Sequence, residues 1–294
     1  MTDQFNKIGL IGKTVDPGID DAISAISQHL QQKGIQVVLD EKTASNISAQ
    51  TLARASRTTL GQECDLVIVV GGDGTMLSAA RTLCDYGVPL VGVNLGRLGF
   101  LADVSPDDFR EKIDEILSGH YEVEERFLLD ATVMRQGEVI GTGTALNDVV
   151  VHKWLVAHMI ETDTYINGHF VHTHRSDGII TATPTGSTAY ALSGGGPIIQ
   201  PGLEAIVIVP ICPHTLSNRP IAVKSSSKVR IMLSESGRYK GQVTCDGQFL
   251  HELEIGDEVL IERKEKRLQL LHPKGHDYYH ILRAKLHWAN IPEE

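Results

Sequence analysis

An aspartate set among glycines is the first feature of this chain that invites chemistry. Gly71-Gly72-Asp73-Gly74-Thr75 follows the apolar run Asp65 to Val70 and precedes a helical pattern. Glycines let a backbone approach phosphates closely, and the start of a helix favours negative charge. A carboxylate beside phosphates is repulsive unless it has a task. It can hold a divalent metal ion, or take a proton from an attacking hydroxyl. The structural alternative is a turn aspartate bonded to its own backbone. The loop lacks the lysine of a Walker A sequence and the spacing of the G-x-G-x-x-G dinucleotide fingerprint.

The elements around this loop follow from periodicity. Lys7 to Gly12 reads as a strand, and Ile19, Ile23, Ile26 and Leu30 form a helical stripe ended by Lys33 and Gly34. Ile35 to Leu39, Asp65 to Val70 and Val88 to Asn94 are further strands, and Thr75 to Tyr86 is a helix. The unbroken apolar run DLVIVV suits a strand buried on both faces of a parallel sheet. Ser105, Pro106, Asp107 and Asp108 predict a helix start, with Ser105 as cap, and Gly119 predicts its stop. Alternating strands and helices argue for an α/β domain with a mainly parallel sheet over residues 1–125.

After about residue 122 strands follow one another: Arg126 to Met134, Val156 to Ile166, Val229 to Leu233, Gln242 to Cys245 and Glu258 to Arg263. Gln136 to Glu138 is a turn, and Asn167-Gly168 is a strong hairpin signal. A β-rich second domain, 126–268, is expected. The closing segment, 269–294, holds a modest helical pattern and is expected to dock back on the first domain.

Asn94-Leu95-Gly96-Arg97-Leu98-Gly99-Phe100-Leu101 is a second glycine-spaced loop after a strand. Asn147-Asp148 follows Thr144-Ala145-Leu146. Arg175-Ser176-Asp177-Gly178 runs toward Thr183-Pro184-Thr185-Gly186-Ser187-Thr188-Ala189-Tyr190, with Gly194-Gly195-Gly196-Pro197 soon after. Phosphofructokinases and lipid kinases have loops like Gly71 to Thr75. The segments taken together, in this order, resemble the NAD kinase family. His272-Pro273-Lys274 and Lys285-Leu286-His287-Trp288 look like its bacterial branch, the ATP-NAD kinases.

The resemblance implies a fold and a reaction. The fold is an N-terminal α/β domain followed by a C-terminal β-sandwich domain that binds NAD. In the reaction, the 2′-hydroxyl of the adenosine ribose of NAD attacks the terminal phosphate of ATP or polyphosphate, giving NADP. Asp73 matches the general base, and Gly74 is its neighbour at the ligand. Asn147 and Asp148 match the pair that holds NAD. Many members carry Asn-Glu there, so for Asp148 either the backbone sits closer or the bond runs through water. Arg175 and Asp177 match ligand-binding positions. Thr188, Ala189, Tyr190, Ala191, Leu192 and Ser193 match the segment lining the NAD site, and His158 and Gln248 match weaker contacts. The resemblance also implies a Mg²⁺ or Mn²⁺ ion with the donor phosphates, and a homodimer or homotetramer.

Composition sets bounds on partners. The 294 residues carry a formal net charge of -10. No run of Lys and Arg supplies a nucleic-acid-binding face. Phosphates must be recruited locally, by backbone amides, helix starts or a metal ion. No apolar stretch approaches the roughly 18 residues of a membrane span. Met1 to Lys7 lacks the pattern of a signal peptide, which suggests a cytoplasmic protein. Cys64, Cys84, Cys212 and Cys245 form no C-x-x-C pair, and read as reduced, mostly buried thiols. His172 and His174 share a strand face near His169, without an obvious further metal ligand. Glu262 to Arg267 reads as a solvated hairpin end.

Overall fold

A computed structural model of the chain describes residues 5–13, 18–45, 52–96, 98–105, 107–155, 158–215 and 217–288. The chain divides into two compact units, 1–125 with 268–294, and 126–267.

The first unit alternates strands and helices: β1 (Lys7–Gly12), α1 (Ile19–Gln32), β2 (Gln36–Asp40), α2 (Glu41–Ala44), β3 (Ala53–Ala55), α3 (Arg57–Glu63), β4 (Leu66–Val70), α4 (Asp73–Leu83), β5 (Leu90–Val93) and α5 (Phe109–Leu117); of these, α2, β3 and α3 fall in a stretch where the periodicity predicts no element. β3, β2, β1, β4 and β5 lie side by side, all parallel. β4 is buried at every position, which is why its sequence is apolar throughout rather than alternating. Ile19, Ile23, Ile26 and Leu30 of α1 are buried against the sheet. Each such side chain contributes roughly 1.5–3 kcal/mol of burial.

Two expectations shift here. α4 starts at Asp73, two residues before Thr75, because Gly72 already caps it. α5 starts at Phe109, with Asp108 as its cap position and no side-chain cap bond. Ser105 Oγ instead accepts from the Asp107 amide at 3.3 Å, making a local turn ahead of the helix, and Pro106 lies outside the described residues. Gly119 ends this helix with φ 83°.

The second unit is antiparallel: β6 (Tyr121–Arg135), β7 (Glu138–Ala145), β8 (Asp148–Lys153), β9 (Ile160–Ile166), β10 (His169–Ser176), β11 (Gly178–Ala182), the short helix α6 (Tyr190–Ser193), β12 (Ala205–Ile211), β13 (Ile221–Lys224), β14 (Val229–Leu233), β15 (Gly241–Cys245), β16 (Gln248–Leu253) and β17 (Glu258–Pro273). One sheet has the order β13-β12-β11-β8-β15-β16. In this unit β10, β9, β14 and β17 form a second layer, and β6 pairs with β7 and β17. A shared core joins the layers, with Val149, Val151, Ile179 and Val243 from one and Leu129, Ile160, Ile231 and Ile261 from the other. This is the sandwich.

The strand expected from Val156 begins at Ile160; Val156 and Ala157 lie outside the described residues. Asn167 and Gly168 make the expected hairpin, with φ 50° and 80°. Glu262 to Arg267 is not a hairpin end but the middle of the 16-residue β17. Within it Glu262 pairs with Lys228, Arg263 and Arg267 with Glu204, and Lys264 with Asp130.

β17 ends in the first unit, where Leu270 pairs in parallel with Leu90 of β5. α7 (Tyr278–Leu286) follows, buried through Ile281 and Leu282. Among the described residues no helix is long and apolar enough to cross a membrane. Cys64, Cys84 and Cys245 are buried free thiols and Cys212 is exposed.

Candidate functional site

In the first unit, β4 delivers the chain to the carboxyl edge of a parallel sheet, where such sheets bind ligands. Asp73 stands there as the first residue of α4. It does not bond its own turn. Oδ2 accepts from the Phe100 amide at 3.1 Å and Oδ1 from the Leu101 amide at 3.0 Å. Each oxygen keeps a lone pair for a further donor, and the residue is only half-buried. The two glycine-spaced loops of the sequence are thus one structure. Gly99 makes the approach possible, because a Cβ there would run into Asp73 Oδ1.

Beside this loop lies a cavity of about 570 Å³ lined by Gly12, Lys13, Lys42, Arg57, Gly72, Gly74, Thr75 and Ser78. Lys13 follows β1, Lys42 stands on α2 and Arg57 opens α3. The Arg57 guanidinium is held in place by Ser78, whose carbonyl and Oγ each accept from Nη1 at 2.9 Å, and by Asp40 at 3.5 Å from Nε. Three cations therefore meet the positive end of α4, a setting for an anion of several charges. Sequence inspection missed this basic cluster, since its members stand 29 and 15 residues apart along the chain (42 − 13 and 57 − 42). Among the described residues lining the cavity there is no carboxylate. A metal ion accompanying a polyanion here would be held chiefly by that anion, with Asp73 as the carboxylate of the loop.

In the second unit, Asn147 and Asp148 lie where β7 hands over to β8. Asp246 gathers them. Its carboxylate accepts from the amides of Leu146 at 3.0 Å, Asn147 at 2.8 Å and Asp148 at 3.2 Å. Asp246 takes φ 48° at the tip of the β15–β16 hairpin, so Gln248, which opens β16, stands at the same end of the sheet. The Thr183-Pro184-Thr185-Gly186 turn closes on the pair from the other side. The Thr183 amide donates to the Asn147 carbonyl at 2.9 Å, and Gly186 packs so tightly on the Asn147 backbone that a Cβ would collide with it. The same turn carries Thr188, Ala189 and α6. Of these residues Tyr190 and Ser193 are exposed, Leu192 is half-buried and Ala191 is fully buried. Asp148 is buried, and that burial, with the charge of Asp246 next, pushes its carboxyl up to about 7.

The remaining sequence candidates form a separate group. Asp177 immediately precedes β11, which runs antiparallel to β8 with Gly178 opposite His152 and Ala182 opposite Asp148. Five residues of strand, roughly 17 Å, separate Asp177 from the Asp148 end. Asp177 is paired with Lys153 at 2.7 Å. Arg175 lines a cavity of about 310 Å³ with Glu161, Arg238 and Tyr239, and the exposed His158 stacks on Tyr239 with ring centroids 4.1 Å apart. His172 and His174 stack on each other at 3.5 Å. Burial, and then His174, push His172 down to about 4, so the pair is neutral.

Asp246 and the cationic trio are the residues that sequence reading missed. Asp246-Gly247 between two strands is a hairpin signal in its own right. Nothing in one sequence announces that its carboxylate would reach three amides about 100 residues away, at positions 146 to 148.

Residues 8–121 match the family model described as the ATP-NAD kinase N-terminal domain, and residues 146–272 that of the ATP-NAD kinase C-terminal domain. The chain is 51% identical to a protein named NAD kinase from Chromohalobacter salexigens, over 97% of this chain and 98% of the relative. It is 50% identical to one from Nitrosococcus oceani, over 98% of this chain and 99% of the relative. Among solved structures it resembles a yeast NADH kinase complexed with NADH, with TM-score 0.89, 25% identity, and coverage of 99% of this chain and 90% of that one. It also resembles an NAD kinase from Archaeoglobus fulgidus in complex with ATP, with TM-score 0.75, 26% identity, and coverage of 96% and 98%.

Proposed function

Since this chain belongs to the NAD kinase family, we propose that it transfers the terminal phosphoryl group of ATP to the 2′-hydroxyl of the adenosine ribose of NAD, giving NADP. One observation carries the mechanism: a half-buried carboxylate, Asp73, held by two backbone amides beside a cavity lined with cations.

The roles follow from chemistry. Asp73 takes the proton as the ribose oxygen forms its bond to the terminal phosphorus. The bond from that phosphorus to the bridging oxygen breaks, and ADP leaves. A positioned base is worth about 10²–10⁴-fold in rate. Lys13, Lys42, Arg57 and the amides opening α4 bind the donor phosphates and stabilise charge on the transferring group. Inorganic polyphosphate offers the same groups to this cavity and serves as an alternative donor. A Mg²⁺ or Mn²⁺ ion carried by the donor supplies further neutralisation of that charge.

Asn147 and Asp148 hold the dinucleotide, the Asp148 carboxylate accepting from ribose hydroxyls. Gly74 allows close approach of the ligand. Thr188, Ala189, Tyr190, Ala191, Leu192 and Ser193 line the dinucleotide, with Tyr190 free to pack on a ring. Gln248 and the Arg175, Asp177 and His158 group make outer contacts. A symmetric dimer or tetramer is the expected assembly, to be checked by light scattering.

The reading is tested by supplying NAD, ATP and Mg²⁺ and following NADP with an NADP-specific dehydrogenase. NADP should accumulate. Binding of the dinucleotide with no NADP from either ATP or polyphosphate would replace the kinase by a dinucleotide sensor.

A further inference from the structure

Directly after the residues that hold Asp73 comes a second carboxylate, Asp103, with its own grip on the fold. Its Oδ2 accepts from His272 Nδ1 at 2.9 Å and from His276 Nδ1 at 2.7 Å. On the far side, His272 Nε2 lies 3.2 Å from Glu124 Oε2. His272 is almost fully buried. Burial lowers its basicity, but its contacts with Asp103 and Glu124 outweigh that and lift it to about 9. Burial alone would raise Asp103, yet the two imidazole bonds hold it well below the usual carboxylate range. At neutral pH the group is thus ionised: a carboxylate accepts two N–H bonds, one of them from an imidazolium.

The same three side chains place ligand atoms within 4.8 Å of one another. Their rings, however, are stacked at 3.9 Å and tilted by only 24°. Both Nδ1 atoms are aimed at one oxygen, Asp103 Oδ2, which lies at hydrogen-bond distance from each and so already fills the direction an ion would use. The cluster is built as a clamp on Asp103.

The clamp bears on Asp73 through a short stretch of closed backbone. The Gly99 amide donates to the Ala102 carbonyl at 3.0 Å, the Asn94 amide to the Val104 carbonyl at 2.9 Å, and the Val104 amide to the Gly92 carbonyl at 3.2 Å. Leu101, Ala102 and Val104 are buried. Only Ala102 separates Leu101, which donates to Asp73, from Asp103. The parallel sheet brings the partners together: β17 runs alongside β5, so His272 and the loop leaving β5 emerge at the same edge.

We propose that Asp103 is a positioning residue for Asp73: clamped by His272 and His276, it fixes the turn from Gly99 to Ala102 and so aims the amides of Phe100 and Leu101 that orient the Asp73 carboxylate. This rests on the reading of Asp73 as the general base.

The test uses the isosteric Asp103→Asn variant of the full chain, alone and combined with Asp73→Asn, with hydrogen exchange at Phe100 and Leu101 measured in the same proteins. In Asp103→Asn these two amides should exchange at least about 10-fold faster while the core strands stay protected. Its kcat should fall about 10-fold, because small displacements of a catalytic group are costly. KM for NAD should stay within about 2-fold. The fall in kcat should vanish in the Asp73→Asn background, since coupled residues are not additive. His272→Asn, whose side-chain amide can reach the Nδ1 position, should retain more activity than His272→Ala. Unchanged exchange at Phe100 and Leu101 would overturn the proposal. So would an equal fall in kcat in both backgrounds, which would mean that Asp103 does not act through Asp73. If Asp73→Asn alone made NADP at the parental rate while Asp103→Asn still loosened the two amides, the base assignment would fall and the clamp would stand.

Discussion

Gly99 and Asp73 share one small volume: a methyl group on the glycine would occupy the place of the carboxylate oxygen Oδ1. Gly99→Ala should therefore push Asp73 aside or open the loop. We expect kcat to fall by at least about 10-fold, a size consistent with a misplacement of under an ångström or so. Overpacking should cost roughly 1–3 kcal/mol of stability. Kinetics and thermal unfolding of the purified variant check both figures, and parental kinetics would mean that the loop has slack.

The cation-lined cavity makes a separable prediction. Arg57 is anchored by Ser78 and Asp40, and Lys42 stands across from it on α2. Arg57→Ala and Lys42→Ala should each raise KM for ATP by about 10-fold, near 1.4 kcal/mol. KM for NAD should change little. Raising the salt concentration should weaken donor binding in the parent more than in either variant. Equal effects on both substrates would contradict the assignment of this cavity to the donor.

Asp148 gives the pH dependence. Its carboxyl ionises near 7 in the folded chain against an ordinary 3.8. The unfolded chain therefore loses its proton first as the pH rises, and stability falls across the window from about 4 to 7. Below that window the two states do not differ. Above it the penalty is complete, on the order of 4 kcal/mol at most. Asp148→Asn should thus stabilise the ligand-free protein at pH 8 and leave it nearly unchanged at pH 4, as read by denaturant unfolding. An ionised carboxylate accepts from ribose hydroxyls more strongly than a protonated carboxyl does, so NAD affinity in the parent should strengthen as pH rises through 7. An affinity that is flat from pH 6 to 8 would remove Asp148 from the ribose.

Asp246 should couple to that titration. Its charge is the second cause of the raised Asp148 value, after burial. Asp246→Asn keeps one acceptor oxygen for the amides of residues 146 to 148 and removes the charge. The midpoint for NAD binding should move to lower pH. Asp246→Ala, which strands three amides, should cost roughly 2–4 kcal/mol of stability. A midpoint unmoved by Asp246→Asn would leave burial as the whole cause.

Much of the fold was legible because its signals are local. The unbroken apolar run before Gly71, the helical stripe of α1 and the Asn167-Gly168 turn each point to one structure. Boundaries moved where two caps compete, as at Ser105 and Asp108. β8, β11 and β12 escaped notice: each is a short apolar strand without alternation, and unlike β4 none is set off by neighbouring helical stripes that would mark it as a strand rather than part of a buried helix. At the candidate site, the motifs single out Asp73 and Asn147-Asp148 as candidates, but not the groups that hold them in place. Phe100, Leu101, Asp246, Lys13, Lys42 and Arg57 act through backbone amides or through convergence of distant segments, and neither leaves a mark on a single sequence.

The most direct measurement compares NADP formation by the parent and by Asp73→Asn under saturating NAD, ATP and Mg²⁺, with NAD binding measured on both proteins by calorimetry. A fall in kcat of at least about 10²-fold, with NAD affinity preserved, is the expected result for loss of a general base. An undiminished kcat in Asp73→Asn would contradict it, and would leave the chain a kinase whose base lies elsewhere.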